Sequence, residues 1–369
     1  MVVCAGILLH GMRPTAQPTE WTFVSIPDFT NVDVLYPEPK WDDALDYTLD
    51  AIKAENPDFV LVAGDLVMGR WWRTEEQVGY MADLYYDAWK QRMHSHDLAW
   101  YVIPGDHELG DNPWYPNGDK NRRGMGTWDC APLEYVPYYE AAFIRNFSMP
   151  ANGPANMKGL TFSVDHKNAR VVGIDVFEKE LMGLNGQNAE LSDGTITWLD
   201  GRLKTPGNIA HTIVFGHAPV LGPVRRKSSS GLMYTGGRES AFWQTMKKHG
   251  VAVYLCGEVH QMTCIERDGI EQIAHGGLFG YNTDVNYLVV TVTPTELRLE
   301  LKEIETVLSG FRLPQSAGNE PREIVTISPE VKREGFRTVG TMTVKKSGAD
   351  RAFLAKTGYF VEDDNPKEQ

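Results

Sequence analysis

The chain has 369 residues, 42% of them hydrophobic, and carries a formal net charge of -13. That length can bury a large core in one domain or two, and the acidity argues against a general affinity for nucleic-acid backbones. Apart from the N-terminal residues, no apolar run approaches the length needed to cross a bilayer.

Met1 to His10 is a short apolar run ahead of a Pro- and Thr-containing stretch from Arg13 to Thr19. It has the look of a secretory leader with a cut after Ala16, although it lacks a basic start; export is the expectation, against a disordered or misassigned start. Residues 21–30 read as strand then loop. Asp42 to Glu55 has helical spacing, with Ala44, Leu45, Tyr47, Leu49 and Ile52 making an apolar face. Asn56-Pro57 stops it before an apolar strand, Phe59 to Ala63, and residues 74–96 read as a second helix before the strand at Tyr101. This alternation predicts right-handed βαβ units and a largely parallel sheet.

An irregular stretch from Leu109 to Pro137 holds Trp114, Trp128 and the pair Arg122-Arg123. Its length suits a lid or binding loop. Strands follow at Leu160 to Val164 and Ala169 to Ile174, then a helix at Thr195 to Leu203 and a strand reaching His217. A second loop, Leu221 to Arg238, carries Arg225 and Arg226. Beyond His260, strands near 261–266, 270–275 and 286–302 suggest a second, antiparallel-leaning sheet. Residues 306–369 are more polar and hold strand-like pieces at Glu323 to Ile327 and Thr338 to Val344, which suit an edge hairpin or a tail.

Five of these buried-type strands end alike. Phe23 to Pro27 runs into Asp28, Phe59 to Ala63 into Gly64-Asp65, and Tyr101 to Pro104 into Gly105-Asp106-His107-Glu108. Thr212 to Phe215 runs into Gly216-His217, and Val251 to Cys256 into Gly257-Glu258-Val259-His260. Carboxylates and imidazoles arriving from several strand ends are the donors of a metal site. A lone Gly-Asp after a strand is usually a turn or cap; five such turns in order are not explained that way. Cys256 and Cys264 read as buried apolar residues, with a disulfide between them as the other reading.

With these five motifs in this order the chain resembles the calcineurin-like metallophosphoesterase superfamily, over roughly residues 21–302. The resemblance implies an α/β fold, a four-layer α/β/β/α sandwich of two mixed sheets flanked by helices. It implies a catalytic domain at 21–305, between a leader at 1–20 and an extension at 306–369. It also implies a metal-dependent hydrolase that cleaves a phosphate mono- or diester of a small or sugar-linked anionic substrate by attack of a metal-bound hydroxide, with His107 as proton donor. Carried over residue by residue, Asp28, Asp65 and His260 would hold a first metal, and Asp65, Asp106, His217 and Glu258 a second.

Three positions depart from the family pattern. Thr30 stands where a His is expected, Asp106 where an Asn is, and Glu258 where a His is. The second site becomes more anionic, which favours manganese, magnesium, calcium or iron over zinc among one or two bound ions. Asp106 and Glu258 can also be read as carboxylates outside the metal shell, and Asn31 or Asp33 as substitutes for the missing donor. Glu108 would orient His107 or cap the turn. Arg122, Arg123, Arg225 and Arg226 are candidates to hold an anionic substrate, against solvated surface charge. Trp71-Trp72, Trp114 and Trp128 would stack on a sugar or base, or pack the loops. If they stack, a carbohydrate-acting reaction on the same fold is the alternative function; a binding protein that has lost catalysis is a third.

Overall fold

The computed structural model describes residues 20–28, 34–35, 38–71, 73–112, 114, 130–182, 189–204, 208–226, 229–276, 284–312, 322–345 and 351–361. Residues 1–19 of the expected leader, Thr30, Asn31, Asp33, Trp72, Arg122, Arg123 and Trp128 lie outside them.

The strands are β1 (Trp21–Ser25), β2 (Val60–Ala63), β3 (Trp100–Ile103), β4 (Phe162–His166), β5 (Ala169–Ile174), β6 (His211–Gly216), β7 (Val253–Cys256), β8 (Thr263–Arg267), β9 (Ile270–Ala274), β10 (Asp284–Val292), β11 (Glu296–Glu305), β12 (Val307–Arg312), β13 (Arg322–Thr326), β14 (Arg337–Lys345) and β15 (Ala352–Gly358). The helices are α1 (Pro39–Ala54), α2 (Glu75–Ser95), α3 (Val136–Phe147), α4 (Lys179–Met182), α5 (Asp193–Arg202), α6 (Ala241–Lys248) and α7 (Pro329–Glu334).

One sheet has the order β15-β14-β11-β10-β1-β2-β3, the other β4-β5-β6-β7-β9-β8, and β12 pairs with β13. β1, β2 and β3 are parallel, as are β5, β6, β7 and β9; the flanking pairs are antiparallel. Both sheets are therefore mixed. Phe23, Phe59, Leu61 and Ile103 of the first and Phe162, Val171, Phe215 and Leu255 of the second share one buried apolar layer. Burial on both faces explains the near-continuous apolar runs of the central strands.

The βαβ reading through β3 agrees with the observed parallel register. The separate antiparallel sheet expected after His260 does not form. β9 and β8 extend the sheet that carries His217, whereas β10 and β11 pair back onto β1. Alternation along a strand specifies its buried face but not its partner, so that choice lies outside local pattern.

Outside the sheets, α1 buries Trp41, Ala44, Leu45, Leu49 and Ile52. α2 is capped by Thr74, whose hydroxyl accepts the Gln77 amide at 3.1 Å. α3, absent from the sequence reading, packs on α2, with Phe147 and Tyr86 ring centroids 4.9 Å apart. Cys256 and Cys264 are buried and not joined in a disulfide, so the disulfide reading fails. No helix among the described residues is long and apolar enough to cross a membrane. β15 reaches across to the other sheet through Lys356, whose ammonium lies 3.0 Å from the buried carboxylate of Glu271.

Candidate metal centre

The parallel strands set the site, because their carboxyl ends lie along one edge of the two sheets. Asp28 follows β1, Asp65 follows β2, Asp106 follows β3, His217 follows β6, and Glu258 and His260 follow β7. The turns carrying them are tight. A Cβ on Gly64 would sit 2.5 Å from the Gly105 backbone, and one on Gly105 would sit 2.2 Å from Asp65 Oδ1. Only glycine allows the two Gly-Asp turns to touch.

Asp28, Asp65, Glu258 and His260 all have positive φ, between 55 and 69°. A non-glycine residue in that region costs about 1 kcal/mol or more. Four candidate ligands strained together mark a site organised for chemistry rather than for stability alone.

His217 is fully buried, and its Nδ1 lies 2.7 Å from the Ala63 carbonyl. That nitrogen must donate, which leaves Nε2 to face the carboxylates. Oxygens of Asp106, Glu258 and Asp65 lie 3.1, 3.4 and 3.5 Å from Nε2. Beside them, Asp28 Oδ1 accepts the Glu258 amide at 3.0 Å and lies 3.9 Å from His260 Nε2. Asp28 Oδ2 is buried with no hydrogen-bond partner.

Donor atoms within each of three groups lie within 4.8 Å of one another: Asp28, Asp65 and His260; Asp65, Asp106 and His107; Asp106, His217 and Glu258. Carboxylate oxygens gathered on an imidazole lone pair, with one further oxygen unpartnered, fit a bound cation.

The electrostatics point the same way. Burial pushes the carboxyls of Asp28 and Asp65 above the usual range, Asp65 the further. Burial would push Asp106 up as well, but the His107 and His217 rings hold it well below. Burial would lower His217, yet the carboxylates of Asp65, Asp106 and Glu258 raise it strongly. The pocket draws positive charge to itself.

His107 lies at the rim, its side chain 15% exposed and its Nε2 3.7 Å from Asp65 Oδ2. Its Nδ1 lies 3.1 Å from the Met68 carbonyl and 4.0 Å from Asp111 Oδ2. Burial pushes the imidazole pKa down, but the carboxylates of Asp111 and Asp106 outweigh it and raise it. Asp111 is paired with Arg70, both buried. Glu108 caps the turn: its two oxygens accept backbone amides from Asp65, Leu66, Val67 and Gly105 at 2.7 to 3.0 Å.

Of the other candidates, Arg225 donates its backbone amide to Thr263 Oγ1, and Arg226 is exposed beside Gly231 on the same loop. Trp71 and Trp114 are core residues, packed against Tyr139 and Phe177 respectively. That removes two of the rings on which the carbohydrate reading leaned. Arg70, Asp111, Asn112, Ser229 and Ser230 also surround the centre and were not singled out by sequence. No motif marks them, because each reaches the site through a contact distant in sequence or inside a loop.

A family model described as calcineurin-like phosphoesterase matches residues 29–262, and the chain belongs to that family of hydrolases. No curated protein sequence matches the chain. Among solved structures, PhoD superposes with a TM-score of 0.50 at 12% identity, covering 95% of this chain and 74% of that one. GAP50, the anchor in the inner membrane complex of Plasmodium, gives 0.46 at 14% identity, covering 84% and 90%. A putative 5'-nucleotidase from Staphylococcus aureus gives 0.42 at 12% identity, covering 73% and 51%. At such identities the likeness to PhoD is one of fold.

Proposed function

We propose that the protein hydrolyses a phosphate mono- or diester of a small or sugar-linked anionic substrate at a centre of one or two metal ions. The observation that carries this reading is the gathering of Asp65, Asp106 and Glu258 oxygens within 3.5 Å of the buried His217 Nε2. Asp28, Asp65 and His260 would hold a first ion, and Asp65, Asp106, His217 and Glu258 a second. A donor set dominated by carboxylates suits manganese, magnesium, calcium or iron better than zinc. When bound, such ions supply Lewis acidity toward the phosphoryl oxygens and lower the pKa of water.

The chain's own groups do the rest. His107 holds a proton on Nε2, the ring atom near Asp65, while its Nδ1 is directed toward the Met68 carbonyl. From the rim it delivers that proton to the departing oxygen of the ester. The carboxylates of Asp111 and Asp106 raise the pKa of the ring and so favour retention of that proton. Glu108 holds the Asp65 and Gly105 amides so that both turns stay aligned. Arg225, Arg226, Arg122 and Arg123 are assigned to the anionic substrate. The chemistry is assigned to residues 21–305, with 306–369 as an extension, and an exported location to the mature chain.

Metal analysis of the purified protein together with turnover of p-nitrophenyl phosphate and bis-p-nitrophenyl phosphate in Mn²⁺ tests the reading. Bound metal and cleavage of at least one ester, reduced in His107→Ala, are expected. Absence of metal, or bound metal with neither ester cleaved, overturns it.

A further inference from the structure

The two carboxylates that depart from the family pattern, Asp106 and Glu258, are joined by one line of hydrogen bonds. Asn112 Nδ2 donates to Asp106 Oδ2, and the Asn112 backbone amide donates to the same oxygen at 3.4 Å. Asn112 Nδ2 also donates to Ser230 Oγ at 3.2 Å. Ser230 Oγ in turn donates to Glu258 Oε1 at 2.6 Å, and the same oxygen accepts Ser229 Oγ at 2.9 Å and the Leu232 amide at 3.0 Å.

This pattern sorts the oxygens. In each carboxylate one oxygen is committed to these donors, Asp106 Oδ2 and Glu258 Oε1. The other is directed at His217 Nε2, Asp106 Oδ1 at 3.1 Å and Glu258 Oε2 at 3.4 Å. A carboxylate with one oxygen so held cannot rotate to offer both, so each contributes a single donor atom and other coordination positions stay open. Partners of metal-ligating groups orient them in this way, and their loss commonly weakens binding 10- to 100-fold.

We infer that Asn112 and Ser230 are positioning residues that couple Asp106 and Glu258 into one rigid pair of single-oxygen donors for a hard divalent cation. The inference rests on the metal-centre reading above. It concerns a contact between two loops, one after β3 and one after β6, that the sequence positions of Asn112 and Ser230 do not suggest. Ser230 stands on the solvent side and Asn112 beneath it. Substitution at Ser230 therefore leaves the apolar core untouched.

The test is titration of Mn²⁺ into metal-free full-length protein by calorimetry, for the wild type, Asn112→Ala, Ser230→Ala, the double variant and Ser230→Thr. Each single alanine variant is expected to weaken Mn²⁺ binding about tenfold. The double variant is expected to lose less than the product of the two single losses, because both break the same connection. Ser230→Thr keeps the hydroxyl and retains the wild-type affinity. Thermal unfolding of the metal-free variants checks that they fold, and Ser230→Thr against Ser230→Ala still decides if Asn112→Ala does not. Unchanged affinity in Ser230→Ala, losses that multiply in the double variant, or a threonine variant as weak as the alanine one would each overturn the coupling while leaving the metal centre standing. A wild type that binds no Mn²⁺ overturns both.

Discussion

Glu108 holds Asp65 by its backbone rather than by its side chain: Glu108 Oε2 accepts the Asp65 amide at 2.7 Å. The same carboxylate takes three further amides, from Leu66, Val67 and Gly105, and is fully buried. It thereby ties the turn after β2 to the turn after β3, and Asp65 points at the centre because its main chain cannot move.

Glu108→Gln should therefore be costly. The amide group would put N–H donors against N–H donors and leave buried amides unsatisfied. A loss of about 3 kcal/mol or more is expected, read as a lower urea midpoint, together with reduced metal content. A change under about 1 kcal/mol would show that the turn does not need the carboxylate.

Asp111→Asn should act on His107. The Asp111 carboxylate helps to outweigh burial and raise the imidazole pKa, so its removal lets that value fall. An acid that must be protonated then loses activity at lower pH, and the alkaline limb of the pH–rate profile moves down. The loss should be larger for phenyl phosphate than for p-nitrophenyl phosphate, whose leaving group needs less protonation. The variant also costs the buried Arg70 its Asp111 ion pair, at about 3 kcal/mol or more; because Arg70 lowers the imidazole pKa, adding Arg70→Met should recover stability and return the alkaline limb part of the way. An unmoved profile with equal losses on both esters would leave Asp111 a purely structural role.

Removal of metal should destabilise the fold. Asp28, Asp65, Asp106 and Glu258 are all buried within one pocket, and without cations their mutual repulsion is offset only in part by the His217 and His107 rings. Chelation is expected to lower the Tm by several degrees, and added Mn²⁺ to raise it with the logarithm of its concentration over Kd. A Tm indifferent to both treatments would contradict a metal-loaded centre.

Glu140 gives the stability curve a slope away from the centre. Burial, with repulsion from Glu180, pushes its carboxyl up to about 7 from 4.5. The folded state thus holds this proton more tightly than the unfolded chain. The group costs nothing below about pH 4.5, and stability is lost as pH rises from there to about 7. Glu140→Gln should match the wild type near pH 4.5 and exceed it at pH 8 by up to about 3 kcal/mol. Denaturant unfolding at both pH values measures this; a constant difference between the proteins would place the slope on other groups.

Much of the architecture was legible in local pattern. Central strands buried on both faces appear as apolar runs, and glycine turns with a polar donor punctuate their ends, so Asp28, Asp65, Asp106, His217, Glu258 and His260 could be singled out before any coordinates. Even α3 had a signal: Val136, Tyr139, Ala142, Phe143 and Phe147 follow helical spacing and are all buried. The irregular stretch before it hid that period.

What sequence alone determined was which acidic and imidazole residues stand at which strand ends, because both depend on neighbours along the chain. Only tertiary structure decided that β10 returns to β1, that Glu108 serves backbone amides, and that Trp71 and Trp114 belong to the core. It likewise decided that Ser230, 118 positions from Asn112, completes the hold on two carboxylates. Hydrogen bonds between separate loops have no period to read; they exist once two sheets have packed and brought their strand ends to one edge.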